Sequence, residues 1–186
     1  MSDKLPLRNV TGLGELKALA HPLRQRMLYH LAFAGSASST SLARAFGEST
    51  GSTSYHLRQL ERFGFIETDA ERSRGRERWW RLVPLDLRDS STELADTPET
   101  ERLGRIRFER DRNLVDRFLV NQHRFGALAE AATFSSSATH LTEHELRLFT
   151  EEYIALLKRW WRPPEERPDE AVPIAALFYA FPWPGE

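Results

Sequence analysis

Apolar residues recur at three- and four-residue steps through the first part of the chain, which is the spacing of one helix face. The positions that follow this step are Leu16, Leu19, Leu23, Met27, Leu28 and Leu31. Pro22 interrupts the pattern, because proline is tolerated in the first turn of a helix but not inside it. We therefore predict a short helix that ends near Ala20 and a second helix over Pro22 to Ala34, which Gly35 ends.

Two polar segments separate the next two helices. Residues 36–40 are small and polar and predict a loop, after which Thr40 or Ser41 caps a third helix that Gly47 closes. A fourth helix is predicted from Ser52 to Phe63. Its inward positions are Thr53, Leu57, Leu60 and Phe63, and its outward positions, which hold hydrogen-bonding side chains and no carboxylate, are Ser52, Tyr55, Gln59 and Arg62.

A hairpin follows the fourth helix. Phe65 to Thr68 and Arg76 to Val83 predict two strands, and Gly75 supplies the turn between them. Adjacent residues of a strand point to opposite faces, so one of the two neighbouring tryptophans, Trp80, is expected in the core. The tip of this hairpin is rich in arginine.

The helical pattern restarts beyond a polar stretch. Residues 88–96 predict a linker, and Thr97-Pro98-Glu99 has the order of N-cap, first-turn proline and first-turn acid. The helix predicted from there keeps its period for about eight turns, to Ala132. Thr142 starts a further helix, and the apolar tail from Ala171 to Trp183 is either a strand or a segment docked on the helices.

The charges divide along the chain. The whole sequence has 26 Lys and Arg against 27 Asp and Glu, but residues 1–90 hold 14 against 10 and residues 91–186 hold 12 against 17. The first half is therefore basic and the second acidic, which favours different partners for the two halves. Zero cysteines exclude disulfides and thiolate sites. No segment approaches the roughly 20 apolar residues of a membrane helix, so we expect a cytoplasmic chain without a membrane partner.

Three helices, a fourth helix with a polar outer face and an arginine-tipped hairpin follow one another in the order of a winged helix-turn-helix domain. The stretches LKALAHPLRQRMLYHL (16–31), STSYHLRQLERFGFI (52–66) and GRERWWRL (75–82) resemble the ArsR-like winged-helix repressors of bacteria. This resemblance covers residues 14–83. It implies a homodimeric repressor whose fourth helix enters the major groove of duplex DNA. The predicted fold class is mainly α, with a small β-hairpin wing and a C-terminal helical dimerisation lobe.

The candidates for DNA contact lie on the fourth helix and on the wing. The helix offers donors and acceptors for base edges, and the wing offers cations for phosphates. Arg58 is the candidate reader of guanine, whereas His56 either contacts DNA or hydrogen-bonds the backbone of the third helix. The full set is Thr50, Ser52, Tyr55, His56, Arg58, Gln59, Arg72, Arg74, Arg76 and Arg78.

One segment, His140-Leu-Thr-Glu-His144, matches a zinc pattern of metallopeptidases. That pattern needs both histidines on one helix face, but Thr142 and Glu145 predict a capping box that begins the helix between them. The ArsR-like resemblance implies metal sensing only where cysteine pairs or Asp and His ligands are present, and here the long helix offers only His123 with Asp116. We predict no metal, no cofactor and no enzymatic activity.

The C-terminal half carries more aromatic surface than two free-standing helices cover, which predicts a homodimer interface. The interface candidates are Leu103, Ile106, Leu114, Phe118, Phe125 and Leu128. The same surface also suits a pocket for a small apolar or aromatic effector. The predicted plan is an arm (1–13), the winged domain (14–87), the linker (88–96) and the helical region (97–186). The alternative function is a protein-interaction module whose winged helix no longer binds DNA.

Overall fold

The computed structural model describes residues 8–10, 12–73, 77–83, 85–86, 97–162 and 166–185. The predicted linker, most of the predicted arm and the tip of the wing, including Arg74 and Arg76, lie outside the described residues. Among the residues described, no helix is both long enough and apolar enough to cross a membrane.

Helices dominate the chain. In chain order the elements are β1 (Arg8–Asn9), α1 (Leu13–Leu19), α2 (Pro22–Ala34), β2 (Ser36–Ser38), α3 (Ser39–Phe46), α4 (Thr50–Arg62), β3 (Ile66–Thr68), β4 (Trp79–Leu82), β5 (Leu85–Asp86), α5 (Pro98–Asn121), a 3-10 turn (Gln122–Arg124), α6 (Ala127–Glu130) and α7 (Glu143–Trp160). The predictions of a helix from Pro22 to Ala34 and of a helix start at Pro98 are confirmed.

The wing is part of a three-stranded antiparallel sheet in the order β2-β4-β3. Ile66 pairs with Leu82 in the predicted hairpin, and Ala37 pairs with Trp80 on the other edge of β4. The prediction of a loop over residues 36–40 is therefore wrong. Ser36, Ala37 and Ser38 are all buried, so this short strand shows none of the alternation of apolar and polar residues that marks a half-buried strand.

The third and fourth helices begin two or three residues earlier than predicted, each at a serine cap. The Ser38 hydroxyl accepts a hydrogen bond from the Ser41 backbone N–H at 3.2 Å, so α3 begins at Ser39. The Ser49 hydroxyl accepts from the Ser52 N–H at 3.1 Å, so α4 begins at Thr50 and not at Ser52. In each case the serine satisfies a backbone donor that helix geometry leaves without a partner.

The long C-terminal helix is shorter than its apolar pattern predicts. It ends at Asn121, and Gly126, with a φ of +51°, separates the following 3-10 turn from α6. The predicted continuation to Ala132 is therefore wrong: α5 gives way to the 3-10 turn after Asn121, and the positive φ of Gly126, which other residues rarely adopt, begins a separate short helix. The tail has no regular structure over 171–181, but the ring of Phe178 stacks on Tyr153 of α7 at 4.0 Å.

The chain divides into two compact units, one of residues 6–110 and one of residues 111–186 with 1–5. The division falls inside α5, because Leu103 is buried in the core of the first unit together with residues of α1 and α2. Every buried hydrophobic side chain among the described residues lies between Val10 and Leu103. Trp80 belongs to this core, as predicted from its position on the strand.

Truncating the core face of α4 should destabilise the winged domain. Leu60 is fully buried, so Leu60→Ala should lower the free energy of unfolding by about 2–5 kcal/mol. The matched control is Leu13→Ala on α1, whose side chain is 41% exposed and whose loss should cost less than about 0.5 kcal/mol. Urea denaturation of both variants measures the difference, and equal losses would contradict the assignment of Leu60 to the core.

Candidate nucleic-acid interface

Helix α4 is fixed to the domain along one face only. Leu57 and Leu60 are fully buried, and the hydroxyl of Thr53 donates to the backbone carbonyl of Ser39 at the start of α3, at 2.9 Å. Gly47, in the left-handed conformation with a φ of +70°, ends α3 and allows the sharp turn into α4. These contacts hold α3 and α4 as a pair and leave the opposite face of α4 outward.

The outward face of α4 carries hydrogen-bonding groups. Tyr55 is 53% exposed, and Arg58 is exposed, with its Nε donating to the carbonyl of Ser54 at 3.3 Å. Thr50 lies exposed at the first position of the helix, while Ser52 and Gln59 are half-buried at its margins. Tyr55 and Arg58 therefore have the reach and the donors that contact with base edges requires.

The only carboxylate of α4, Glu61, is bound by a residue of the wing. Arg78 Nη2 lies 2.5 Å from Glu61 Oε1, and Arg78 Nε donates to the Thr68 hydroxyl at 2.9 Å. The same guanidinium lies 5.4 Å from the centre of the Trp80 ring. Arg78, a candidate for DNA contact, is thus already engaged in joining the wing to α4. The sequence spacing did not reveal this pairing, because Glu61 and Arg78 lie on separate elements.

Arg72 is the other described wing candidate. Its backbone N–H donates to the carboxylate of Asp69 at 3.3 Å, which shapes the turn, and its guanidinium lies 5.9 Å from the centre of the Trp79 ring. The side chain is exposed. Arg72 therefore presents a positive charge at the base of the wing, where a phosphate can approach it.

His56 packs against the start of α2 and not against α3. Its ring centre lies 4.5 Å from that of His21, and its Nδ1 lies 3.5 Å from Arg24 Nη1. On the outward side, the ring of Tyr55 meets His56 edge to face at 5.2 Å. A hydrogen bond to the third helix was one of the two alternatives for His56, and the structure shows a contact with α2 in its place. Neither Arg24 nor His21 was predicted to lie at this site.

Both histidines favour the neutral state. Burial lowers the pKa of His21 below its ordinary 6.5, and the nearby Arg24, His56 and Arg102 lower it further. Burial also lowers the pKa of His56, Arg24 adds to that effect, and Glu48 partly opposes it. A proton on either ring would place a further positive charge beside a guanidinium.

The histidine pair that matched a zinc pattern is separated by a helix start. Thr142 caps α7 in a capping box with Glu145, and α7 begins at Glu143, as predicted. His140 therefore lies outside the helix that carries His144. Within the described part of the chain, no group of three His, Asp or Glu side chains is placed to hold a metal ion.

Acidification should destabilise the winged domain through His21 and His56. Because the pKa of each is lowered in the folded state, the unfolded chain takes up protons first as the pH falls through about 6.5, and stability is lost over that range. The variant with both His21→Gln and His56→Gln should lose less unfolding free energy than the parent between about pH 7 and about pH 5.5. The control is His144→Gln, which changes an exposed histidine of α7. If the unfolding free energy of the double variant fell with pH as steeply as that of the parent, His21 and His56 would not be the cause of the acid sensitivity.

Residues 19–69 match the family model of a helix-turn-helix domain, a span that runs from the end of α1 to the turn after β3. No curated protein matches the chain.

Five chains in solved structures resemble this chain, and two of them have the following similarity to it. One is a "Possible transcriptional regulator for arsenical resistance", 27% identical, with 66% of this chain and 100% of that chain covered and a TM-score of 0.34. The other is the heme sensor protein PefR from Streptococcus agalactiae in complex with heme, 14% identical, with 79% of this chain and 78% of that chain covered and a TM-score of 0.33. Both TM-scores are low, so the assignment of the fold rests on the match to the helix-turn-helix family model and on the order of the helices and strands.

The matched span contains α2, α3 and α4, and the hairpin of β3 and β4 stands where the resemblance to the ArsR-like repressors placed a wing. Residues 19–69 therefore carry a helix-turn-helix domain, and the hairpin of β3 and β4 gives this domain the winged form of the fold.

Proposed function

We propose that the chain acts in the cytoplasm as a homodimeric repressor that reads duplex DNA with α4 and grips phosphates with the wing. The observation that carries this proposal is the contrast between the two faces of α4. One face is buried through Thr53, Leu57 and Leu60, and the other presents Tyr55 and Arg58 with no unpaired carboxylate among the described residues. A carboxylate on this face would repel the phosphate backbone of DNA.

Each face residue has a role in the proposed complex. Arg58 reads a guanine through its O6 and N7, the commonest specific contact of an arginine in the major groove. Tyr55, Thr50, Ser52 and Gln59 supply hydrogen bonds to neighbouring base edges or phosphates. His56 supports Tyr55 from behind, since the two rings touch edge to face.

The wing contributes charge and position. Arg72 supplies a cation for the phosphates beside the groove, and Arg74 and Arg76, which the sequence predicts near the turn, would add two more. Arg78 acts as a positioning residue, because its ion pair with Glu61 sets the wing against α4. Its part in DNA contact is therefore indirect.

Dimerisation is assigned to the second unit. Its described hydrophobic side chains are half-buried or exposed: Phe125 is 47% exposed, Leu128 is 46% exposed and Val120 is 76% exposed. A single copy covers little of this apolar surface, and a continuous exposed apolar patch marks an interface.

The other predicted interface residues differ in how much of each side chain is exposed and so available for contact with a second copy. Phe118 is half-buried against Phe125 and Phe134, and Ile106 and Leu114 are half-buried along α5. Leu103 is buried in the core of its own winged domain, so the proposed interface does not depend on it.

Two recognition helices related by a dimer axis read half-sites about 34 Å apart, which favours an operator of near-palindromic sequence. We propose that the signal that releases the repressor from DNA acts on the C-terminal helices. A pocket for an apolar or aromatic effector between these helices remains a prediction. The second candidate function is an interaction module without DNA binding, and the acid-free outer face of α4 disfavours it.

Base recognition by Arg58 is open to a direct test. Selection of duplexes from a random pool should return a palindromic sequence with the parent chain. Arg58→Ala should lower affinity for that sequence by about 1–3 kcal/mol and relax preference at one position of each half-site. Arg147→Ala removes the same charge from α7, where Arg147 pairs with Glu143, and should leave preference unchanged. Unaltered preference in Arg58→Ala would show that the reading face of α4 is misassigned.

The dimer assignment is tested in the full chain. Phe125→Asp and Leu128→Asp together place two carboxylates on the exposed apolar surface, and analytical ultracentrifugation should then show a monomer. Ala32→Asp, at an exposed position of α2, should leave the dimer intact. Affinity for the selected palindrome should fall by at least about tenfold in the monomeric variant, because only one half-site is held. A double variant that remains dimeric would exclude this surface as the interface.

A further inference from the structure

A cavity of about 400 Å³ opens within the winged domain, between the end of α1, the start of α2 and the start of α5. Lys17, His21, Arg24, Glu99 and Arg102 supply its polar wall. All of these residues belong to the unit of residues 6–110. The volume lies within the range of small-molecule sites, about 300–1,000 Å³.

The wall carries more positive than negative charge. Lys17, Arg24 and Arg102 face Glu99, which is the one carboxylate among the residues that line the cavity. Glu99 lies 3.6 Å from Lys17 Nζ. Arg102 makes no ion pair with any described residue, and its charge acts on both His21 and Arg24. Among the described residues of the cavity wall, two positive charges therefore remain without a counterion.

Arg24 is held in place before any ligand arrives. Its Nε donates to the carbonyl of Ala18, and its Nη2 donates to the carbonyl of Lys17 at 2.8 Å, which satisfies carbonyls at the end of α1. Burial is the largest cause of the lowered pKa of Arg24, and Arg102 adds to it. A fixed and partly desolvated guanidinium binds an anion more strongly than a solvated one.

The start of α2 adds to the positive potential. His21 is the N-cap residue of α2, and its side chain makes no capping hydrogen bond, while Pro22 at the first helical position has no N–H to donate. The amide groups of this first turn and the helix dipole favour negative charge close by.

The cavity is connected to the DNA-reading face by ring contacts. His21, on the cavity wall, packs on His56 of α4 at 4.5 Å between ring centres, and His56 packs on Tyr55 at 5.2 Å. Arg24 Nη1 also reaches His56 Nδ1, at 3.5 Å. A charge placed in the cavity therefore acts on a residue next to Tyr55.

We propose that this cavity binds a phosphate group through Lys17, Arg24 and Arg102, and that the contacts of Arg24 and His21 with His56 carry its occupancy to α4. The second half of this proposal rests on the proposed reading of DNA by α4, whereas the first half does not. Burial is the main cause of the lowered pKa of His21 and His56, and an anion beside Arg24 would offset the further lowering that the charge of Arg24 adds. Binding should therefore raise the pKa of both histidines.

Titration of the full chain with inorganic phosphate, without DNA, tests the site. Calorimetry should show saturable binding that Arg102→Gln weakens about tenfold, a loss typical of a hydrogen bond between charged groups. Glu99→Gln should strengthen binding, because it removes the competing carboxylate. Arg105→Gln is the matched control: Arg105 lies one turn further along α5 and pairs with Glu101 at 2.7 Å, so binding should not change.

A second readout follows the histidines. Proton NMR titrations with and without phosphate should show the pKa of His21 and His56 raised by phosphate, and no change at His144. Absence of saturable binding, equal effects of Arg102→Gln and Arg105→Gln, or unmoved pKa values of His21 and His56 would each overturn the proposal.

A phosphate group can come from a free small ligand or from the DNA backbone, and affinity for duplex DNA in phosphate-free buffer separates the two. An unchanged affinity in Arg102→Gln supports a free ligand. A fall in affinity supports a backbone phosphate, provided that the slope of log affinity against log salt concentration also becomes flatter by about one. Phosphate binding in a chain that fails to bind DNA would support the cavity while excluding the proposed function, so the two failures are distinguishable.

Discussion

The burial of one face of α4 is the contact on which the rest of the winged domain depends. Leu57 and Leu60 enter a core formed by α1, α2 and the three-stranded sheet, and the Thr53 hydroxyl binds α4 to the start of α3. Because that face is fully buried, rotation of α4 would expose leucines and carry polar groups into the core. The outer face is thus determined by the inner one, and the candidate contacts to DNA follow from core packing.

The two units of the chain differ in what stabilises them. The first has its own hydrophobic core and a continuous sheet. The second has helices and aromatic contacts, such as Phe149 with Phe178 at 5.8 Å, but no fully buried hydrophobic side chain among its described residues. Apolar burial is the dominant favourable term in folding. The second unit is therefore expected to gain stability when its apolar surface is covered. Under the proposed function a second copy of the chain covers it, so its stability would vary with protein concentration.

Local signals allowed much of the fold to be predicted from the sequence. Pro22 and Gly35 delimit α2, Thr142 with Glu145 begins α7, and the apolar spacing of α4 distinguishes its buried face. Each of these signals acts within a few residues. Signals that depend on distant partners were missed: β2 is a strand only because β4 offers a free edge, and the ion pair of Glu61 with Arg78 needs two elements brought together by the fold. The contact of His56 with His21 likewise depends on two elements that are far apart in the sequence.

The ion pair of Arg78 with Glu61 has a consequence for how salt acts on this protein. Both side chains are partly exposed, so added salt screens their attraction as well as the attraction between cations and DNA phosphates. Under the proposed function, salt therefore acts twice: it weakens each phosphate contact, and it loosens the wing that presents those contacts. A dependence of DNA affinity on salt would then combine the loss of phosphate contacts with the loosening of the wing.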